Sequence, residues 1–193
     1  MIKEKFKTEM REWAESIIIA LILALLIRTF VVQAFKIPSG SMIPTFEVGD
    51  RIFVNKFIYG ARIPFTDIRL PALKAPQRGD IIVFVSPEAP KKDFVKRLIA
   101  LEGETVEIKR GSILINDKAV DGPDSVKANY YYNKGNFGKA GVAVTVPKGF
   151  YFALGDNSAN SRDSRYWGFF PKKNLIGKAV LLYWPIQRIH IIR

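Results

Sequence analysis

Ser41 stands in residues 37–46, IPSGSMIPTF, framed by Gly40, Pro38 and Pro44. A nucleophile needs such a setting: a rigid backbone, an exposed hydroxyl and neighbouring N–H groups free to face an oxyanion. Ser, Gly and Pro are also ordinary turn residues, so this stretch alone fits a plain turn as well. A second stretch, residues 93–104, reads DFVKRLIALEGE. A strand over 94–101 puts Phe94, Lys96, Leu98 and Ala100 on one face and Val95, Arg97, Ile99 and Leu101 on the other. Either face sets one cation among apolar neighbours. A lysine so placed loses hydration and its pKa falls. Bringing it from ~10.4 to ~7–8 costs about 3–5 kcal/mol, but leaves a neutral amine able to take a serine proton. The alternative is an edge-strand lysine whose ammonium reaches water. A third stretch, residues 155–168, reads GDNSANSRDSRYWG. It can set hydroxyls and a carboxylate–guanidinium pair beside a site, or form a solvated turn.

The composition removes competing chemistries. The chain has 193 residues, one His and no Cys. Thiol nucleophiles, disulfides and thiolate metal sites are excluded, as are zinc sites built on two or three histidines. A Ser-His-Asp triad would need His190, which sits in a strand-like RIHII. No P-loop, dinucleotide fingerprint or H-E-x-x-H is present, and no cofactor or metal is implied. The net charge is +12. Residues 1–35 hold five basic and four acidic side chains, and residues 36–193 hold the other 25 and 14. The excess therefore belongs to the body of the chain and points to an anionic partner.

Two kinds of element must position these groups. Residues 1–13 are polar. Residues 14–35, AESIIIALILALLIRTFVVQAF, are predicted to form a helix about 33 Å long, enough to cross a bilayer, with Pro38 as its stop. Residues 17–27 are apolar all round, and Arg28 can reach a headgroup or the protein. A buried core helix, or a removable signal peptide with Val32 and Ala34 as its small-residue cleavage positions, fits the same segment. Basic residues before the span lean toward an inside amino terminus. Beyond it, short β-branched and aromatic runs predict strands at 51–57, 80–85, 94–101, 105–108, 112–115, 142–146, 150–154 and 176–184. Residues 58–76 are apolar and Pro-rich, suiting a projecting hairpin or loop, and 117–141 form a short polar excursion. The expected fold is mainly β: one transmembrane helix, then an all-β domain over 36–193.

The ordered set S-G-S-M-x-P-T at 39–45, R-G-D at 78–80, K-R at 96–97 and G-D-N-S…S-R-D-S-R at 155–165 resembles bacterial type I signal peptidases. These are membrane-bound Ser/Lys endopeptidases that remove signal peptides from exported proteins. The resemblance runs from the apolar span to about Trp184. It implies Ser41 as acylating nucleophile and Lys96 as general base. It implies Ser39 as a hydroxyl of the oxyanion hole and Ser161 as the hydroxyl that orients the lysine. Asp163 and Arg165 become a structural pair beneath the site, with Asp156, Asn157 and Met42 as further support near it. It implies preprotein substrates with small residues at −1 and −3, a single pass through the cytoplasmic membrane with the amino terminus inside, and a catalytic domain on the outer face. Residues 58–76 and the LLYWPI segment are expected to rest on the bilayer, and the basic body faces anionic lipid rather than nucleic acid. The chain departs from some members in having one span and a short 117–141 segment. Two other readings remain open: a Ser/Lys processing peptidase with a specialised target, and a non-enzymatic, membrane-anchored basic module.

Overall fold

The computed structural model describes residues 2–64, 66, 68–120 and 124–192, with side chains from residue 9 onward. Phe65 and Asp67 of the expected 58–76 hairpin, residues 121–123 of the polar excursion, and the two terminal residues lie outside the described residues.

Helix α1 runs Ile2–Leu26 and widens into a π-turn, Ile27–Val31. The segment Glu9–Val31 is long and apolar enough to cross a membrane; its most apolar 18-residue window has a mean hydropathy of 2.3 and holds no buried residue. That exposure removes the buried-core-helix reading. The helix boundaries correct the expected 14–35. Much of the polar tail is already helical, and the helix stops at Val31, well before Pro38. Residues 32–35 instead enter strand β1, Val32–Lys36, which pairs antiparallel with β2, Arg51–Asn55. The β-branched Val31–Val32 pair and Phe35 favour a strand once a partner edge is available. The widened turn hands over smoothly, because the Val32 N–H still bonds the Ile27 carbonyl while the Lys56 N–H takes the Val31 carbonyl at 2.9 Å.

The remaining strands are β3 (Ile81–Val85), β4 (Asp93–Ala100), β5 (Thr105–Lys109), β6 (Ser112–Ile115), β7 (Lys118–Ala119), β8 (Val144–Thr145), β9 (Phe150–Leu154), β10 (Phe170–Pro171), β11 (Leu175–Trp184) and β12 (His190–Ile191). Short helices α2 (Asp124–Lys127) and α3 (Ser164–Trp167) interrupt them. Among the described residues there are two sheets. The larger runs β1-β2-β11-β3-β4-β9-β10 with β12 on β11, and the smaller runs β7-β6-β5-β8. The mainly β expectation holds.

Strand β3 shows how the body is held. Its IIVFV run is buried on both faces. Ile81 and Val83 enter a core with Ile37, Met42, Phe46, Ile52 and Val54. Ile82 and Phe84 enter another with Tyr59, Leu98, Tyr151 and Phe170. Phe84 stacks on Phe170 with centroids 3.9 Å apart. Each such side chain contributes about 1.5–3 kcal/mol by leaving water. A third core lies under the small sheet and takes Val126 and Tyr131 from the polar excursion. The apolar 58–76 segment carries an isolated bridge, Arg62 to Arg69, and Arg69 donates to the Gly60 carbonyl and to the carbonyls of Lys173 and Leu175. Gly60 has φ +77°, and a Cβ there would strike the Leu70 carbonyl.

Candidate active site

The turn carrying Ser41 is fastened on both sides. Ile37 and Met42 are buried in the core, and a 3-10 turn, Gly40–Met42, lies between them. Asn157 clamps the turn: its N–H bonds the Ser41 carbonyl at 3.1 Å and its Nδ2 bonds the Gly40 carbonyl at 2.9 Å. Gly155 lies so close that any side chain there would collide with the Ser41 carbonyl and with Ser161 Oγ.

Lys96 comes from β4, which is paired with β3 along residues 93–97 and with β9 from Arg97 onward. At Lys96 the strand is paired with β3 alone, but the side chain is buried rather than reaching water, so the solvated-lysine alternative does not apply. Lys96 is 4% exposed and its Nζ lies 2.6 Å from Ser41 Oγ. Among the described residues it makes no ion pair, and the Phe94 ring lies beneath its Nζ, 5.6 Å to the centroid. Burial pulls the amine down from 10.5 to about 8; Asp163 and Asp156 oppose that fall and Arg165 adds to it. Charged, the ammonium donates to Ser41 Oγ; neutral, it can accept the serine proton over the same distance.

The third stretch supplies the supports. Arg97, 2% exposed on the other face of β4, grips Asp156 through Nε–Oδ1 at 2.7 Å and Nη2–Oδ2 at 2.6 Å. Thr45 Oγ1 donates to the same carboxylate at 2.5 Å, tying the serine turn to it. Asp163 and Arg165 form a second bidentate pair, at 2.8 and 2.7 Å, both fully buried. Asp163 also accepts from the N–H groups of Gly155 and Arg165 and so caps α3. Ser39 is exposed, with its Oγ 3.5 Å from Ser41 Oγ. Ser161 differs from its expected role: its Oγ is buried without a hydrogen-bond partner, so no bond to the Lys96 amine is made. The His190 ring nitrogen meets the Arg188 carbonyl, and among the described residues it makes no hydrogen bond to this site. Among the described residues no cluster of acidic or imidazole groups suits a metal.

A cleft of ≈ 870 Å³ opens on Ser41 and Lys96. Residues 35–39 form one wall and 92–96 the other. Strand β1 ends the sheet, and residues 93–96 of β4 pair with β3 alone. Among the described residues, two strand edges without a second strand partner therefore border the cleft, where an extended peptide can add as a strand. Asn160 and Arg162 complete the lining. Arg97, Thr45, Gly155 and the cleft residues Asn160 and Arg162 carried no assigned role in the sequence reading. Arg97 was findable, since neighbours on a strand face opposite ways and an apolar strand buries both.

Residues 10–184 match the model of the family described as signal peptidase, peptidase S26. The Signal peptidase I of Pseudomonas aeruginosa is 36% identical over 90% of this chain and 73% of its own length. That of Leptolyngbya laminosa is 38% identical over 96% and 85%. That of Aquifex aeolicus is 33% identical over 91% and 84%.

Proposed function

The chain belongs to the signal peptidase family, peptidase S26, and acts as a type I signal peptidase; from that premise we propose how its own residues carry out the cleavage. Ser41 is the nucleophile and Lys96 the general base. The neutral amine takes the Ser41 proton as Oγ attacks the carbonyl carbon at the end of a signal peptide. The tetrahedral intermediate expels the amine that becomes the new amino terminus of the exported protein, and the Lys96 ammonium protonates it. An acyl-enzyme ester remains. Lys96 then deprotonates water, which releases the signal peptide as a carboxylate and restores Ser41. Ser39 and the Ser41 N–H are the donors assigned to the oxyanion. The observation that carries this reading is the 2.6 Å contact between a buried, unpaired lysine and a serine at the floor of an open cleft.

The substrate lies extended between the two strand edges. Walls built from Ile37, Met42, Phe94 and Val95 favour small residues at −1 and −3. The segment Glu9–Val31 crosses the cytoplasmic membrane once with its amino terminus inside, and the body faces the outer side. Trp184, Ile186, Ile189 and Ile191 are exposed at one place in the chain, and Phe57, Ile68 and Leu73 at another; both sets suit contact with the bilayer, whose anionic lipid complements the basic body.

The test is incubation of the full chain, in lipid vesicles, with a preprotein bearing an Ala-x-Ala site, followed by sequencing of the product. Cleavage after the second alanine is expected, and Ser41→Ala should give none. A Ser41→Ala protein that cleaves at the normal rate would overturn the assignment.

A further inference from the structure

The junction between span and body gathers two basic side chains, Arg28 and Lys56. Arg28 lies exposed in the π-turn, three residues before the helix ends. Lys56, just past β2, turns back onto it. Its Nζ donates to the Arg28 carbonyl at 3.3 Å and to Gln33 Oε1 at 3.2 Å, both neutral acceptors. Among the described residues neither cation makes an ion pair. Lys56 is held below its ordinary pKa, first by burial and then by the Arg28 charge, and Asp93 only partly offsets this. Asp93 does not reach ion-pair distance, and burial raises its own carboxyl. The Lys56 ammonium is thus held against the backbone of Arg28, with no carboxylate at ion-pair distance among the described residues.

Resting on the reading that Glu9–Val31 crosses the bilayer, we propose that Arg28 and Lys56 form a two-cation seat for the phosphate of an anionic phospholipid headgroup. The position fits, since the last turn of a span lies at headgroup depth, where arginine and lysine meet phosphate. Exposed apolar side chains flank the pair: Val31, 44% exposed, and Phe57, 40% exposed, offer acyl chains a surface beside the cations. An anion seated there would make charge-assisted contacts with both side chains. Asp93 lines the cleft, so the seated lipid would stand at the mouth through which a membrane-bound substrate arrives.

Native mass spectrometry of the full chain in detergent, titrated with phosphatidylglycerol, tests this directly. The first lipid should bind about 30-fold more weakly to the double variant Arg28→Gln, Lys56→Gln, from roughly 1 kcal/mol per cation. The charge-keeping variant Arg28→Lys, Lys56→Arg should bind like the parent, and the single Arg28→Gln, at an exposed position, should lie between them. Phosphatidylcholine and inorganic phosphate should both bind far less than phosphatidylglycerol; equal binding of inorganic phosphate would replace the lipid with a free anion. Equal binding of phosphatidylglycerol by parent and double variant overturns the seat. Extraction of the parent from vesicles by alkaline carbonate reads the membrane-spanning premise separately, and lipid binding by Ser41→Ala is independent of the proposed catalysis.

Discussion

Lys96 and Arg97 are adjacent on one strand, both buried, and treated in opposite ways. Arg97 has a carboxylate held by one bidentate pair of contacts and three further acceptors, the Gly79 carbonyl, Ser125 Oγ and Thr45 Oγ1. Lys96 has a serine hydroxyl and no carboxylate at ion-pair distance among the described residues. The loop over 155–165 brings two carboxylates to this region and commits both elsewhere, Asp156 to Arg97 and Asp163 to Arg165. An unpaired buried ammonium is costly, so the amine falls toward neutrality, whereas a paired guanidinium stays charged and fixes structure. The same depth of burial thus makes one residue a usable base and its neighbour a brace.

The largest expected effect comes from destroying the reactive side of this comparison. Ser41→Ala or Lys96→Ala should lower preprotein cleavage by at least about 10⁴-fold. Lys96→Arg should be as inactive, because a guanidinium keeps its proton and cannot serve as base. Near-normal turnover in Lys96→Arg would show that the base lies elsewhere.

The bracing side should fail differently. Asp156→Asn leaves the Arg97 charge buried without its partner, and the expected loss is about 3–5 kcal/mol of stability. Thermal unfolding of the detergent-solubilised chain measures it. Asp156 also holds Thr45, so a melt unchanged from the parent would mean that the Arg97 pair contributes neither to the fold nor to the serine turn.

These two residues also mark how far the sequence could be read. Strands β6 and β9 were legible to the residue, because β-branched and aromatic runs end there in Gly, Asn or Asp. Strand β1 was not, because Val32–Lys36 follows directly on an apolar helix and only pairing with β2 makes it a strand. Two-residue strands such as β7, β8 and β10 hold no period at all. Ser41 and Lys96 stood out by type and setting, yet their meeting spans 55 residues of chain and depends on sheet pairing. The Arg97–Asp156 pair spans 59 and was invisible for the same reason. The unpartnered Ser161 hydroxyl depends on side-chain geometry that no motif encodes.

A smaller effect of opposite sign sharpens the contrast. Lys96→Met removes a desolvated amine while keeping its stem, so the inactive protein should be more stable than the parent. With a pKa near 8 in the fold and 10.5 as the ordinary value, the gain at neutral pH is at most roughly 3 kcal/mol. The unfolded chain binds the extra proton between those values, so the parent should gain stability as pH rises from about 8 to 10.5. Lys96→Met should lack that rise. Cleavage by the parent should climb about tenfold per pH unit below 8 and then level off, because only the neutral amine accepts the serine proton. A melting temperature lowered in Lys96→Met would show that the lysine stabilises the fold rather than straining it.

The smallest change tests whether the missing carboxylate is what separates the two residues. Asn157→Ala removes one neutral hydrogen bond, to the Gly40 carbonyl, while the backbone bond to Ser41 survives. A bond of that kind is worth about 0.5–1.5 kcal/mol, so kcat should fall about two- to tenfold with little change in the melt. Asn157→Asp loses the same donor but also sets a carboxylate beside the cleft that Lys96 faces. An added negative charge favours the ammonium, so the rising limb of the pH–rate profile should move to higher pH in Asn157→Asp and stay in place in Asn157→Ala. If both variants keep the parent profile, the absence of an acidic neighbour does not set the Lys96 pKa. Burial alone would then have to explain why this cation, and not Arg97, is free to react.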